Sequence, residues 1–475
     1  MEAPKNISNC KKVKTLYFDI TPQNILRKYT GSETHVIIPE GVTEIGVQAF
    51  VQNNTMVSVE IPDSVNIIHQ EAFLLCKKLV SVKMPKTLKF LEQGAFRRCE
   101  CLQSLHIPDG ITEIQGGMFG ECQSLVSVTI PDSVKSISDR AFSGCCSLEG
   151  IDIPKGITAI GKNVFDGTLW LKHHPDEFVI VGDGVLVSYR GKNPDVIIPE
   201  DVKFLTQSIF YGNQKNIRSV FIPETVTALN DSLHCNNLQE INVSEQNPYY
   251  SSLDGILYNK TQSVMLIYPH GKKSSCFRVP EGVTEIEEYC AFHSVTKRFM
   301  IPETVNKIGD LAFSEDTTLV FEWYGRQIPI FLIKDWASFT NPDEQATWAL
   351  FAVFSNGIGI LDFLKDISIQ NFNKMSGAAY PYQLAVFCYD MDSGIADYLR
   401  ENIIPVTEFA IEYDLHEMMQ KLLDSGYIDT ENIDTLINFA IEHTQKTSNA
   451  EMQVQLMEYK KQHIGYFDPE SQFKL

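Results

Sequence analysis

Ser58-Val-Glu-Ile-Pro62-Asp-Ser-Val65 is followed, one fixed interval later each time, by Ser81-Val-Lys-Met-Pro85-Lys-Thr-Leu88, Ser104-Leu-His-Ile-Pro108-Asp-Gly-Ile111 and Ser127-Val-Thr-Ile-Pro131-Asp-Ser-Val134. The prolines Pro39, Pro62, Pro85, Pro108, Pro131 and Pro154 stand 23 residues apart, and the phrase returns at Pro199, Pro223, Pro280 and Pro302. Eleven residues after most of these prolines comes a phenylalanine: Phe50, Phe73, Phe96, Phe119, Phe142, Phe165, Phe210 and Phe313. Self-similarity at such a period is the signature of a solenoid, whose units touch only their neighbours.

Within a unit the apolar positions are set relative to the proline. Around Pro85 they are Leu79, Val82, Met84, Leu88, Leu91 and Phe96. Val82 and Met84 lie two apart, the period of a short strand, and the proline ends that strand because it has no N–H to give. The residue two after the proline is usually small (Gly41, Ser64, Thr87, Gly110, Ser133, Gly156), which suits a turn. A short helical or irregular turn carrying the Ala-Phe pair then returns the chain to the next strand. Six apolar side chains cannot offset the ordering of 23 residues at about 1–2 kcal/mol each. One unit alone is unfolded, and the units hold only when stacked.

The phrase Val-Thr-x-Ile-Gly…Ala-Phe-x-x-Cys-x-x-Leu-x-x-Val-x-Ile-Pro, spread over about residues 16–330, resembles the BspA-type leucine-rich repeat of bacterial and protist surface proteins. Three interruptions look like the hairpin modules that punctuate such arrays: Phe18-Asp-Ile20 with Leu26-Arg-Lys-Tyr29, Phe178-Val-Ile180 with Leu186-Val-Ser-Tyr189, and Leu253–Tyr258 with Tyr268-Pro-His-Gly271. The resemblance implies a curved, right-handed leucine-rich-repeat solenoid, an α/β repeat with a short-strand sheet on its concave face. It also implies a surface role.

Eleven cysteines are read by position. Cys76, Cys99, Cys122 and Cys145 fall 14 residues after the proline, and Cys235-Asn-Asn-Leu238 copies Cys76-Lys-Lys-Leu79. This is the Asn-or-Cys slot of leucine-rich repeats, a buried small side chain at the bend. Asn53 and Asn213 fill it elsewhere. Structural free thiols are therefore expected over metal ligands or disulfides, and free thiols in such number favour a reducing compartment.

Composition bounds the partners. Net charge is −20, and residues 331–475 hold 22 acidic against 9 basic residues. Nucleic acid and anionic membrane both need a basic face, so neither is expected as a partner. No apolar run is long enough for a transmembrane helix. The segment Met1–Lys12 lacks the apolar stretch of a signal peptide, which argues for the cytoplasm against the cell surface implied by the resemblance.

No phosphate loop, H-E-x-x-H or G-x-S-x-G motif appears, and no cofactor or metal site is expected. His173-His174, His443 and His463 are isolated histidines, most simply surface residues. The acidic residue after the proline (Glu40, Asp63, Asp109, Asp132, Glu200, Glu224, Glu281, Glu303) is either turn chemistry or a weak cation column, and turn chemistry is the simpler reading. Alternation along a strand places the residues two and four before the proline on the exposed face of the sheet. Ser58, Ser81, Ser104 and Ser127 make a small, uniform column, and Glu60, Lys83, His106, Thr129 and Asp152 a varied one beside it. These nine are the candidate binding residues for a protein or peptide partner.

Beyond Leu319–Tyr324 and Ile328–Leu332, which read as a closing hairpin, the pattern turns helical. Ala349–Phe354, Tyr382–Tyr389 and Phe409–Tyr413 carry apolar residues at helical spacing. Phe409–Gly426 resembles an ankyrin helix pair ending in Leu-Leu-x-x-Gly, and Phe439–Lys461 repeats the theme without ankyrin's Thr-Pro-Leu-His phrase, so a plain helical bundle is the alternative reading. The expected organisation is an N-terminal cap and hairpin over 1–37, a repeat solenoid over 38–332 with hairpin modules near 175–195 and 248–275, and an acidic, all-α, ankyrin-like domain over 333–475. The expected function is a non-enzymatic interaction or scaffold protein, with a surface adhesin or glycan-binding protein as the alternative.

Overall fold

The computed structural model describes residues 17–332, apart from 208, 231, 315 and 324, and residues 379–465. The expected helix at Ala349–Phe354, the N-terminal segment and Cys10 lie outside the described residues. The chain divides into two compact units, Met1–Cys235 with Val243–Tyr249, and Asn236–Asn242 with Tyr250–Leu475.

In the first unit each 23-residue step is one coil of a β-solenoid. The strand before the proline pairs in parallel register with its copy in the next coil: Ser58 with Ser81, Val59 with Val82, Glu60 with Lys83. Ser104–His106, Ser127–Thr129 and Gly150–Asp152 pair the same way. Periodicity places one strand per coil, and the structure contains two. The second is two residues long, at Glu44–Ile45, Ile67–Ile68 and Phe90–Leu91, and again at Glu113–Ile114, Ser136–Ile137 and Ala159–Ile160. A strand this short leaves no alternation to read.

The segment carrying each phenylalanine is an irregular turn. Two left-handed residues flank the ring, such as Glu71 (φ 56°) and Leu75 (φ 61°) around Phe73. This conformation costs a non-glycine residue roughly 1–2 kcal/mol. Gly94, Gly117, Gly144 and Gly167 supply it without that cost. It aims alternate N–H groups along the stack: Glu71, Phe73 and Leu75 donate to the carbonyls of Gln93, Ala95 and Arg97 in the next coil at 3.0, 2.8 and 3.0 Å.

Inside the coils, Phe50, Phe73, Phe96, Phe119, Phe142 and Phe165 are buried and stack in one column. Their successive centroids are 4.8, 5.1, 6.1, 5.4 and 5.9 Å apart. Hairpin residues extend it. Tyr29, on the strand Ile25–Tyr29 paired antiparallel with Phe18–Ile20, lies 5.1 Å from Phe50. Trp170 closes the other end, 4.7 Å from Phe165. The second hairpin, Phe178–Val181 with Val185–Tyr189, starts a new stack by pairing in parallel with Phe204–Leu205.

The cysteine slot forms a second column. The thiols of Cys76, Cys99, Cys122 and Cys145 donate to the carbonyls of Phe50, Phe73, Phe96 and Phe119 at 3.0, 3.3, 3.1 and 3.1 Å. Asn213 makes the equivalent bond to Gly191 O at 2.7 Å. Burial pushes the Cys76, Cys145 and Cys235 thiols up to about 12 and raises those of Cys99 and Cys122 as well. All ten cysteines among the described residues are free. On the surface, His69 bridges three coils, its Nε2 2.9 Å from Glu44 and its Nδ1 3.2 Å from Glu92. Burial alone would lower its pKa, but hydrogen bonds and charge from the two glutamates outweigh that and hold it above 6.5.

The second unit opens with a three-stranded antiparallel hairpin module, Tyr250–Leu253, Ile256–Asn259 and Val264–Ile267, whose last strand pairs in parallel with Glu285–Ile286. It closes on Thr318–Trp323 and Arg326–Phe331, paired antiparallel. Among the described residues six α-helices follow, Ala379–Cys388, Ser393–Glu401, Ile403–Glu412, His416–Ser425, Ile433–Thr447 and Glu451–Tyr459. Asp392 caps the second by accepting from Gly394 N and Ile395 N, and left-handed Gly426 (φ 73°) ends the fourth. Their apolar faces share one core with the coils, from Phe299, Phe321 and Ile330 to Leu384, Leu399 and Met418. Ion pairs Arg298–Glu417 (3.0 Å) and Arg326–Asp390 (2.6 Å) flank that junction.

Three outcomes are expected. Phe96→Ala costs about 3–5 kcal/mol, the range for truncating a buried phenylalanine, and lowers the denaturation midpoint. Thiol titration after denaturation counts eleven free thiols, with no stoichiometric metal on elemental analysis. For His69, a pKa raised by folding stabilises the fold below the unfolded value of 6.5 and loses that contribution as pH rises through the folded value. Melting temperatures of His69→Gln therefore fall further below the parent's at about pH 6 than at about pH 8.5.

Candidate functional site

The strand before most of these prolines buries its middle residue and exposes the two beside it, with Val82 half-buried. Val59, Leu105, Val128 and Ile151 point into the core. Glu60, Ser81, Lys83, Ser104, His106, Ser127, Thr129 and Asp152 are exposed and Ser58 is half-buried. Parallel pairing sets these residues in register: Ser58 beside Ser81, then Ser104 beside Ser127 beside Gly150, with His106 beside Thr129 beside Asp152 in the next column. Gln103 N–H donates to Val80 O at 3.2 Å, joining the two sheets coil to coil. The structure thus brings all nine candidate residues onto one face, at strand spacings of about 4.8 Å.

Several of them already have neighbours. Lys83 Nζ lies 3.2 Å from Glu60 Oε2, with their side chains 73% and 53% exposed, so solvent screens that pair. Two further residues belong to the face: His35, whose Nδ1 is 2.7 Å from Ser58 Oγ, and Ile37, 55% exposed. Their signal is their place four and two residues before Pro39. In the coils at Pro199 and Pro223 the same columns carry Ile197 paired with Phe221, both exposed, and Asp195 paired with Ser219. Hydrogen bonds from Arg218 and Ser219 hold the Asp195 carboxyl below the usual carboxylate range. The face is therefore a serine floor beside a row that runs apolar, acidic, basic, aromatic, hydroxyl and acidic again.

After Pro62 the acidic residue serves the stack: Asp63 Oδ1 accepts from Lys86 N of the next coil at 2.9 Å. Among the described residues no group of three or more His, Cys, Asp or Glu is placed to hold a metal ion. Among them, too, no helix is long and apolar enough to cross a membrane.

A leucine-rich cell surface protein of Faecalibacterium prausnitzii is 26% identical over 65% of this chain and 93% of its own, with a TM-score of 0.37. A leucine-rich repeat protein of T. pallidum is 27% identical over 36% of this chain and 90% of its own, at 0.28. One from Bacteroides ovatus is 18% identical over 64% of this chain and 97% of its own, at 0.29. No curated protein matches the sequence. The model of the BspA type leucine rich repeat region matches in 6 copies over residues 22–145, 187–263 and 270–320. That is more than half of the sequence, laid over the coils described above, and the chain belongs to the BspA-type leucine-rich repeat family.

Proposed function

We propose that the protein is a non-enzymatic interaction protein that holds an extended segment of a protein partner against the strand face of its middle coils. The observation that carries this reading is the register of the face. Ser81, Ser104 and Ser127 form a low floor, and Lys83, His106, Thr129 and Asp152 beside it differ in charge and size at every step. A small floor lets a backbone approach closely, and a row of unlike side chains discriminates between sequences. Flat recognition of this kind suits a peptide, whereas small substrates need an enclosing pocket. The free thiols favour a reducing compartment as its place of action.

Exchanging the charges on this face tests the reading in the full chain. Lys83→Glu with Asp152→Lys changes exposed residues, so stability should move by no more than about 0.5 kcal/mol. Partners identified from the parent by cross-linking and mass spectrometry should bind the variant about tenfold more weakly in a titration. A matched control, Glu401→Lys with Lys446→Glu on the helices, should bind like the parent. Loss of binding in the control alone would place the interaction on the helices.

A further inference from the structure

We infer that the cleft beside Trp170 seats the basic side chain, lysine or arginine, of the peptide lying along the strand face. The inference rests on the reading above and gives that reading a chemical identity at one position. The cleft encloses about 410 Å³ and is lined by Glu149, Leu169, Trp170, His173, His174 and Pro175. It falls in residues 146–186, between the stretches that the family model matches.

The 23-residue step breaks after Phe165, and the break builds the cleft. Thr168 caps a four-residue helix, Leu169–Lys172, by accepting from Leu171 N. Trp170 N–H donates to Leu148 O at 2.7 Å, which holds this helix against the start of the strand Gly150–Asp152 and keeps Glu149 beside the indole. The Trp170 and His174 rings stand at 80° to each other with centroids 5.2 Å apart. Arg190 braces the loop from the hairpin, its guanidinium donating to His174 O and, at 2.7 Å, to Lys172 O. That cation is engaged with two carbonyls, and Glu149 is the carboxylate in the lining.

Next to Glu149 the serine column changes to Gly150, where a Cβ would meet nothing within 4 Å, and Asp152 is exposed just beyond. A backbone running along the column would therefore come next to Glu149 at a residue that has no side chain to hold it off. Trp is the best aromatic partner for a cation, and a carboxylate alongside adds direct attraction. Leu169 and Pro175 offer an apolar wall for the aliphatic stem of a long basic side chain, which keeps its charged end among polar groups. An acidic side chain in this position would face Glu149 directly. The net charge of −20 draws basic segments to the protein at long range.

The test uses the full chain and three probes in fluorescence or competition titrations: a labelled nonapeptide of alternating Ser and Lys, its Ser-Glu counterpart, and cellotetraose. The Ser-Lys peptide should bind, and Glu149→Gln, an exposed substitution that leaves the melting temperature unchanged, and Trp170→Phe should each weaken it about tenfold. His173→Ala, which leaves the carboxylate and the indole in place, should have less effect than either. Equal binding by Glu149→Gln and the parent, with loss confined to Lys83→Glu/Asp152→Lys, overturns the cleft and leaves the strand face standing. Binding of the Ser-Glu peptide or of cellotetraose in place of Ser-Lys, sensitive to Trp170, overturns the choice of a cation. No binding by any of the three overturns both.

Discussion

Each coil depends on the next through backbone hydrogen bonds that run along the stack on every side of the turn. Two strands supply some of them. The rest come from the irregular segment around the phenylalanine, where Glu71, Phe73 and Leu75 reach the carbonyls of Gln93, Ala95 and Arg97. Alternate N–H groups point one way here without forming a strand because the chain turns left-handed on either side of the phenylalanine, at Glu71 and Leu75 around Phe73. That is why the backbone accepts positive φ at Leu75, Arg98 and Glu121, which are not glycine. The strain is tolerated because the buried N–H groups would otherwise lack partners, and an unpaired buried donor costs about 1–3 kcal/mol.

The side-chain columns follow from this backbone register. Once coil n+1 repeats coil n at a fixed step, every side chain sits beside its own copy. Phenylalanines then stack on phenylalanines, and a thiol 14 residues after the proline finds the carbonyl of the previous coil's phenylalanine. Asn213 fills the same slot because an amide N–H reaches the same kind of acceptor. A ladder of buried sulfurs is in this way a hydrogen-bonding device, with thiols pushed far from ionisation and hence poor nucleophiles and poor metal ligands. The surface charges obey the same rule, for Lys83 meets Glu60, Arg98 meets Glu121 and His69 meets both Glu44 and Glu92 across coil boundaries.

Translation of one unit also explains where recognition can arise. A perfectly repeated face presents the same chemistry at every step and so distinguishes no sequence. Variety is confined to positions that packing leaves alone, the exposed residues two before the proline, and to places where the step itself fails. The break after Phe165 is such a place. The short helix, the loop braced by Arg190 and the half-buried Trp170 make a concavity there.

Proline and phenylalanine spacing determined the solenoid, the buried columns and the identity of the exposed strand positions, because a strict period and the alternation of a strand are local rules that need no knowledge of neighbours. The hairpins were legible as interruptions, and the helices at Tyr382–Tyr389 and Phe409–Gly426 through their apolar spacing. Tertiary structure decided the rest. The two-residue strands exist only because an adjacent coil offers partners. Tyr29 and Trp170 join the phenylalanine column from outside the repeat, where spacing gives no cue. The helices of the second unit share a core with the closing hairpin, which apolar periodicity within either segment does not specify. Glu149, Trp170 and His173 reach one cleft only when the chain folds back over Leu148, since a site assembled across a break in the period has no period by which to be found.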